Sequence, residues 1–386
     1  MSKKGTAGTR VKRLPPGATL GVIGGGQLGR YFVIKARQFG YNVWVLDPDA
    51  NAPAMQLASV AVVAAYDDTE ALNKMGAACD AVTIEFENVP ASSLELLSSM
   101  TQLAPAAASV QLSQDRMAEK RHALDSGLSP VPHVAITTTE DISAATNVVS
   151  FPAILKTSRM GYDGKGQLTC NSTEEVMSAF EHFGSVACVL EQRINLAAEV
   201  SVILARGFDG DMAVFPVAQN VHRDGILFTS VVPSTQNEHI TTKASEQACA
   251  LAQAINHIGV LAVEFFVAED GTLYFNEMAP RPHNSGHYTL DATLCSQFEQ
   301  QLRVLCGQAL GGTDLLSPVA MVNLLGDVWG TQAPQFDVTF NEAGCHLHLY
   351  GKAQARPGRK MGHINCLAAD SKSAESMAHR QYAALL

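Results

Sequence analysis

The stretch Ala262–His287, AVEFFVAEDGTLYFNEMAPRPHNSGH, reads as a hairpin. Runs rich in Val, Phe, Leu and Tyr flank Asp270-Gly271, and Asp-Gly between such runs is the strongest short-range hairpin signal. A two-residue turn sets Glu269 opposite Thr272 and, counting back along the ladder, Glu264 opposite Glu277. Directly opposed residues hold their Cβ atoms about 4.5–5.5 Å apart, where like charges destabilise a sheet. A hard divalent cation would compensate, because Mg²⁺ takes oxygen ligands and is held by one or two carboxylates plus substrate phosphates. On the hairpin alone, a glutamate at an exposed edge or a carboxylate with a raised pKa accounts for the pair equally well.

Outward from the hairpin, the polar loop Ala279-Pro280-Arg281-Pro282-His283-Asn284-Ser285-Gly286-His287 follows at once. Its two prolines forbid a regular helix or a central strand, so Arg281 and His283 are expected on a fixed loop beside the carboxylates, able to meet an anion. A helix is predicted from Thr241 to His257 before the hairpin, and another from Leu290 to Cys306 after the loop. The last 80 or so residues read as a smaller, strand-rich module. There Lys352, Arg356, Arg359 and Lys360 put four positive charges within nine residues, a phosphate pocket or a solvated basic turn.

On the N-terminal side, Phe151–Lys156 forms an apolar strand ending in an ammonium, an expensive placement unless Lys156 is paired. Directly after it, Gly161, Gly164 and Gly166 make a loop whose amides can approach phosphates closely, with Lys165 inside it. The spacing is not that of a P-loop. Cys188–Ile194 ends a strand in Glu191-Gln192, and Glu199 opens the next. The helix Asp115–Asp125 sets Arg116 and Lys120 on one face, a pair that is usually solvated. At the start, ATLGVIGGGQLGRYFVIKARQFGYNVWVLD reads strand, glycine turn, helix, strand. Gly24, Gly26 and Gly29 with Asp47 fit a dinucleotide fingerprint, so an NAD site accounts for this unit taken by itself. Acids Glu85 and Glu87 follow a strand end, where open α/β sheets bind ligands.

The 386 residues suffice for two or three domains, and 47% hydrophobic with 17% charged residues is an ordinary globular composition. No apolar run approaches the roughly 18 residues of a membrane span. Five of the 27 basic residues fall in residues 1–13, which hold no acid, leaving 22 basic against 37 acidic in the rest. So acidic a body excludes general nucleic-acid binding, and the basic start is expected to be a disordered extension. Eight scattered cysteines without a CxxC pair argue against zinc and fit buried thiols in a reducing compartment.

Anion-seeking clusters, paired carboxylates and a glycine lid point to phosphoryl transfer from a nucleotide rather than to hydride transfer. In this order, GGGQLGR, QDRMAEK, GYDGKGQ, EQRI, GFDG, HRDGIL, NEMAPRPHNSGH, SQFE and YGK with RPGRKMGH resemble the N5-carboxyaminoimidazole ribonucleotide synthetase family of ATP-grasp enzymes in purine biosynthesis. The resemblance runs from about Gly21 to Ile364. It implies an α/β fold, α+β in part. After a basic tail at 1–17 come a Rossmann-like preATP-grasp domain at 18–113, an ATP-grasp domain at 114–305 and a small β-rich C-terminal domain at 306–386.

The implied reaction joins ATP, bicarbonate and 5-aminoimidazole ribonucleotide through carboxyphosphate, in a cytoplasmic homodimer with no nucleic-acid or membrane partner. Related readings are another ATP-grasp carboxylate-amine ligase and a catalytically silent nucleotide-binding protein. Carried over residue by residue, the ATP contacts fall on Arg116, Lys156, Gly161, Gly164, Lys165, Gly166, Gln167, Glu191, Gln192, Ile194, Glu199, His222, Asn276 and Glu277. One or two Mg²⁺ ions, replaceable by Mn²⁺, fall on Glu264 and Glu277. Tyr162, Asp163, Lys165, His283 and Glu85 take the carboxylation chemistry, and Arg281, Lys352, Arg359 and Lys360 the ribonucleotide phosphate. Met160 departs from the family, which often has glycine there.

Overall fold

Three sheets order the chain in a computed structural model, which describes residues 11–161, 166–330 and 333–386. The first is wholly parallel, with strands β1 (Thr19–Ile23), β2 (Asn42–Asp47), β3 (Val60–Val63), β4 (Ala81–Ile84) and β5 (Gln102–Leu103) in the order β3-β2-β1-β4-β5. Its central strands are almost continuous apolar runs because helices cover both faces. This is the doubly wound unit expected from the glycine turn.

The second sheet is antiparallel and small: β6 (His133–Ile136), β7 (Ala153–Thr157), β8 (Gln167–Cys170) and β9 (Cys188–Gln192), in the order β6-β9-β7-β8. Ile136, Leu155 and Leu190 bury one face of it against Ile142, Val176 and Phe180 of two helices. The other face carries Ile154 and Lys156 toward the third sheet across an open cleft.

That third sheet has nine strands: β10 (Leu196–Arg206), β11 (Met212–Val214), β12 (Ala218–Arg223), β13 (Ile226–Val232), β14 (Gly259–Ala268), β15 (Leu273–Ala279), β16 (Val319–Leu325), β17 (Cys345–Leu349) and β18 (Lys360–Leu367). Its path is β15-β14-β10-β12-β13-β16-β18-β17, with β11 on β10. The C-terminal strands therefore make no sheet of their own. β16 pairs with β13, and the apolar residues of β16 and β18 pack under the helix Ser371–Ala384, so the C-terminal module shares a continuous ladder with the central one.

The opening hairpin keeps its predicted pairing by a different route. The turn is not two residues long: Ala268 N–H donates to Thr272 O (2.9 Å) and Gly271 N–H to Ala268 O (2.9 Å), closing a three-residue loop. Gly271 takes φ +82°, which a type I turn ending in a left-handed residue requires. That longer loop slides the register by one, so Phe265 faces Phe275. One extra residue in β15, Asn276, then forms a bulge, and Glu264 faces Glu277 after all.

Two predicted helices also change. The helix before the hairpin spans Glu238–Ala254, capped by the Asn237 side chain. The one after the loop is broken into Thr289–Ala292 and Gln297–Leu305, because Thr293 bridges to Leu315 and Ser296 starts the second piece as its N-cap. Among the described residues no helix is long and apolar enough to cross a membrane.

Candidate active site

Two adjoining cavities, each of about 280 Å³, meet at Arg116, Glu277, His283, Asn284 and Lys360. The first lies between the parallel sheet and the hairpin and is lined by Glu85, Glu87, Gly161 and Arg281 as well. The second lies between the two antiparallel sheets and takes Lys156, Gln167, Glu199, His222, Glu264 and Asn276. A third hollow of about 650 Å³, walled by Ile154, Gln192, Arg193, Ile194, Leu196 and Phe266, reaches Lys156 and Glu191. Its apolar walls at Ile154, Leu196 and Phe266 suit a planar base.

Lys156, costly by its position, is paired. Its Nζ lies 2.7 Å from Glu191 Oε2, while Lys120 Nζ lies 2.9 Å from Glu191 Oε1. Burial alone would raise the Glu191 pKa, but the two ammonium groups outweigh it and hold the carboxyl well below its usual range. The expectation of a solvated Lys120 is overturned: the residue is 1% exposed. The helix Arg116–Asp125 turns that face into the domain core, so its polar look in sequence reflects ion pairing rather than water.

Across the cleft, β10 and β12 set Glu199 Oε2 2.8 Å from His222 Nδ1. Burial opposes the imidazolium, yet the Glu199 bond and the charges of Glu264 and Glu277 raise the His222 pKa overall. Arg116 Nη1 bonds Glu277 Oε2 (3.0 Å), and His283 Nε2 stands 3.6 Å from Glu264 Oε1. Glu264 is pushed up to about 7 by burial and then by Glu277. Glu277 is held below its usual value despite burial, by Arg116 and then Lys156. Asn276 Oδ1 is buried beside them without a hydrogen-bond partner among the described residues. Two carboxylates and an unsatisfied amide oxygen form an oxygen donor set that fits Mg²⁺. Among the described residues no group of three His, Cys, Asp or Glu is placed to hold a metal ion.

The dinucleotide reading of the first 50 residues fails on geometry. Gly26 and Gly29 N–H donate to Glu85 Oε1 (2.9 Å) and Oε2 (3.1 Å), so a carboxylate of the chain itself fills the place of a phosphate. Asp47 is buried and accepts from Gly25 N–H (2.6 Å), Asp49 N–H (2.8 Å) and the Tyr66 hydroxyl (2.9 Å), so both its oxygens are engaged within the chain. Burial raises the Glu85 pKa in spite of those amides. Glu87 is ion-paired with Arg281, which fixes that guanidinium at the cavity wall.

Lys360 lines both cavities, whereas Lys352 and Arg359 line neither. Lys352 Nζ donates to Gln27 Oε1 (2.6 Å), and Gln27 lines the first cavity; Arg359 Nη1 is turned outward to Gln354 O (2.8 Å). Tyr162, Asp163, Gly164 and Lys165 lie outside the described residues, while Gly161 and Gln167 border the two cavities from either side of them. The sequence offered no sign of Glu119. This buried acid accepts from Met278 N–H (2.5 Å) at the end of β15, and its pKa is raised to about 8 by burial and by Glu277.

A cleft between two antiparallel sheets, with a lysine–glutamate pair on one wall and opposed carboxylates on the other, defines an ATP-grasp protein. Three family models match along the chain: a ribonucleotide synthetase preATP-grasp domain over residues 17–114, an ATP-grasp domain over 121–298 and a phosphoribosylaminoimidazole carboxylase C-terminal domain over 319–377. An N5-carboxyaminoimidazole ribonucleotide synthase from Brucella melitensis is 44% identical over 353 residues, which cover 91% of this chain and 96% of that one. The Staphylococcus aureus N5-carboxyaminoimidazole synthetase complexed with ADP superposes with a TM-score of 0.89 at 38% identity, covering 96% and 98% of the two chains. The Aspergillus clavatus enzyme in complex with ADP and 5-aminoimidazole ribonucleotide gives 0.86 at 28% identity, covering 96% and 98%. The chain belongs to the N5-carboxyaminoimidazole ribonucleotide synthase family.

Proposed function

We propose that this chain is an ATP-dependent ligase that carboxylates 5-aminoimidazole ribonucleotide on its exocyclic amine, consuming ATP and bicarbonate and releasing ADP and phosphate. The observation that carries the reading is the junction of the two cavities at Arg116, Glu277, His283 and Lys360. A phosphoryl group delivered from the nucleotide side there meets a second substrate from the other.

A bicarbonate oxygen attacks the γ-phosphorus, the bond to the β-phosphate oxygen breaks and ADP leaves. The amine nitrogen then forms its bond to the carboxyphosphate carbon, the C–O bond to phosphate breaks, and the amine loses a proton. Lys156 and Arg116 supply positive charge to the phosphates. The Glu199–His222 and Lys120–Glu191 pairs hold the walls that orient the nucleotide. Glu264, Glu277 and Asn276 would hold Mg²⁺, which when bound neutralises charge on the transferring phosphoryl group. Arg281, fixed by Glu87, and Lys360 face the ribonucleotide phosphate, with Lys352 behind Gln27. His283, against Glu264, or Asp163 accepts the amine proton. Tyr162, Asp163 and Lys165 enter the reading through the family resemblance, as part of a loop that keeps water from the mixed anhydride. So do the homodimer and the cytoplasmic setting.

The deciding measurement is ADP release with each substrate omitted in turn. Release should require both bicarbonate and 5-aminoimidazole ribonucleotide; release at full rate without that nucleotide would assign the chain to another amine or carboxylate.

A further inference from the structure

We propose that Glu119 and Lys120 are positioning residues that lock the β15 bulge and thereby set Glu277 opposite Glu264; the inference rests on the reading of that pair as a metal site. β15 is the last strand of the nine-stranded sheet, so one side of its backbone has no strand partner. Along that edge three groups in four residues are taken. Phe275 N–H donates to Ser129 O (2.9 Å), Lys120 Nζ donates to Asn276 O (3.4 Å), and Met278 N–H donates to Glu119 Oε1 (2.5 Å). The contacts bracket the inserted residue Asn276 from both sides.

The bulge matters because register has period two. From the turn to Phe265–Phe275 the ladder runs in a register that, continued, would place Asn276 opposite Glu264 and turn Glu277 to the other face. The inserted residue reverses that outcome, and Arg116 Nη1, 3.0 Å from Glu277 Oε2, holds the side chain on the cleft face. The backbone of the bulge is held from the helix Arg116–Asp125 by two adjacent ionisable side chains, 3% and 1% exposed, whose burial is costly unless they are hydrogen-bonded. Lys120 also bonds Glu191 on β9, so the same lock fixes the carboxylate pair relative to the small sheet that carries Lys156. Glu119 acts through an acceptor oxygen, not through its charge.

The test compares the dissociation constant of ADP with and without Mn²⁺ by calorimetry, the ratio reporting metal held by protein and nucleotide together. Glu119→Asp keeps a carboxyl group but falls short of Met278 N–H, and should cut the ratio by about tenfold, as loss of a partner that orients a ligand does. Glu119→Gln keeps a carbonyl acceptor and should stay within about twofold. A folded Glu119→Asp with the wild-type ratio overturns the inference, as does a Glu119→Gln as impaired as Glu119→Asp. In the unmutated protein the Met278 amide should resist hydrogen exchange despite its place on an edge strand, and rapid exchange there overturns the lock without any variant. Glu277→Gln separates the two levels: if it keeps the ratio, the metal reading fails, whereas a lost ratio with an unaffected Glu119→Asp removes only the lock.

Discussion

Glu264 and Glu277 stand directly opposite each other across β14 and β15, yet they do not ionise alike. Arg116 sits on Glu277 and holds its proton off, while Glu264, buried and facing that charge, is pushed up to about 7. The folded pKa of Glu264 is thus raised above its unfolded value, so its contribution to stability is full below about 4.5 and is lost as pH rises through about 7. Glu264→Gln should therefore stabilise the metal-free protein at pH 8, on the order of 2 kcal/mol, and change it little at pH 4. Thermal melts at the two pH values check this. The same variant should lose ADP release.

A cation entering the pair must displace the Glu264 proton. Affinity for Mn²⁺ in the presence of ADP should rise with pH from 6 to 8, with proton release visible as a buffer-dependent calorimetric enthalpy. A flat profile would show that Glu264 is not a ligand.

Among the described residues, Glu191 is the one carboxylate ion-paired with both Lys120 and Lys156. Glu191→Gln leaves two buried ammonium groups, and a destabilisation of about 3–5 kcal/mol is expected, larger than for Lys156→Met, which leaves one bridge standing. Urea midpoints give the order. Because the folded pKa of Glu191 is depressed, the stability it contributes is present above about 4.5 and is lost as pH falls through the folded value.

Glu85 occupies the glycine turn, so NADH should show no saturable fluorescence enhancement. A Cβ at Gly26 would lie 2.6 Å from Glu85 Oε1, and Gly26→Ala should cost about 1–3 kcal/mol by displacing that carboxylate from its amides. Unchanged stability would mean that the turn tolerates the carboxylate elsewhere.

Cys345 and Cys366 face each other across β17 and β18 with their sulfurs 3.2 Å apart, both as thiols. Hydrogen peroxide should convert the pair to a disulfide, with loss of two hydrogens as two molecules of water form. Peptide mapping should find that link and no other among the six remaining cysteines, of which Cys79 and Cys306 lie in separate cores, while Cys170 and Cys188 share one core but sit on strands kept apart by β7.

Much of the cleft was legible in the chain. An apolar run ending in Lys156 demanded a partner and Asp270-Gly271 demanded a hairpin, because each is a local cost that must be met, whereas the basic cluster was open to a phosphate pocket or a solvated turn and of its residues Lys360 lines the cavities while Lys352 and Arg359 do not. The glycine fingerprint misled for the same reason. It specifies a backbone able to accept any anion, and only the sheet order, which brings β4 beside β1, shows that the anion is Glu85. Likewise Lys120 looked solvated, since helical spacing tells which residues share a face but not what that face meets.

The sequence by itself determined the hairpin, the alternation of strands and helices and the types of group available for phosphate and metal, for these follow from local propensity and charge. Tertiary structure decided which of them meet. The facing of Glu264 and Glu277 was predicted from a two-residue turn that does not form; it arises from a three-residue loop and a bulge at Asn276 that cancel. That cancellation is fixed by Glu119 and Lys120 on a helix almost 160 residues earlier in the chain, a contact that no local pattern encodes.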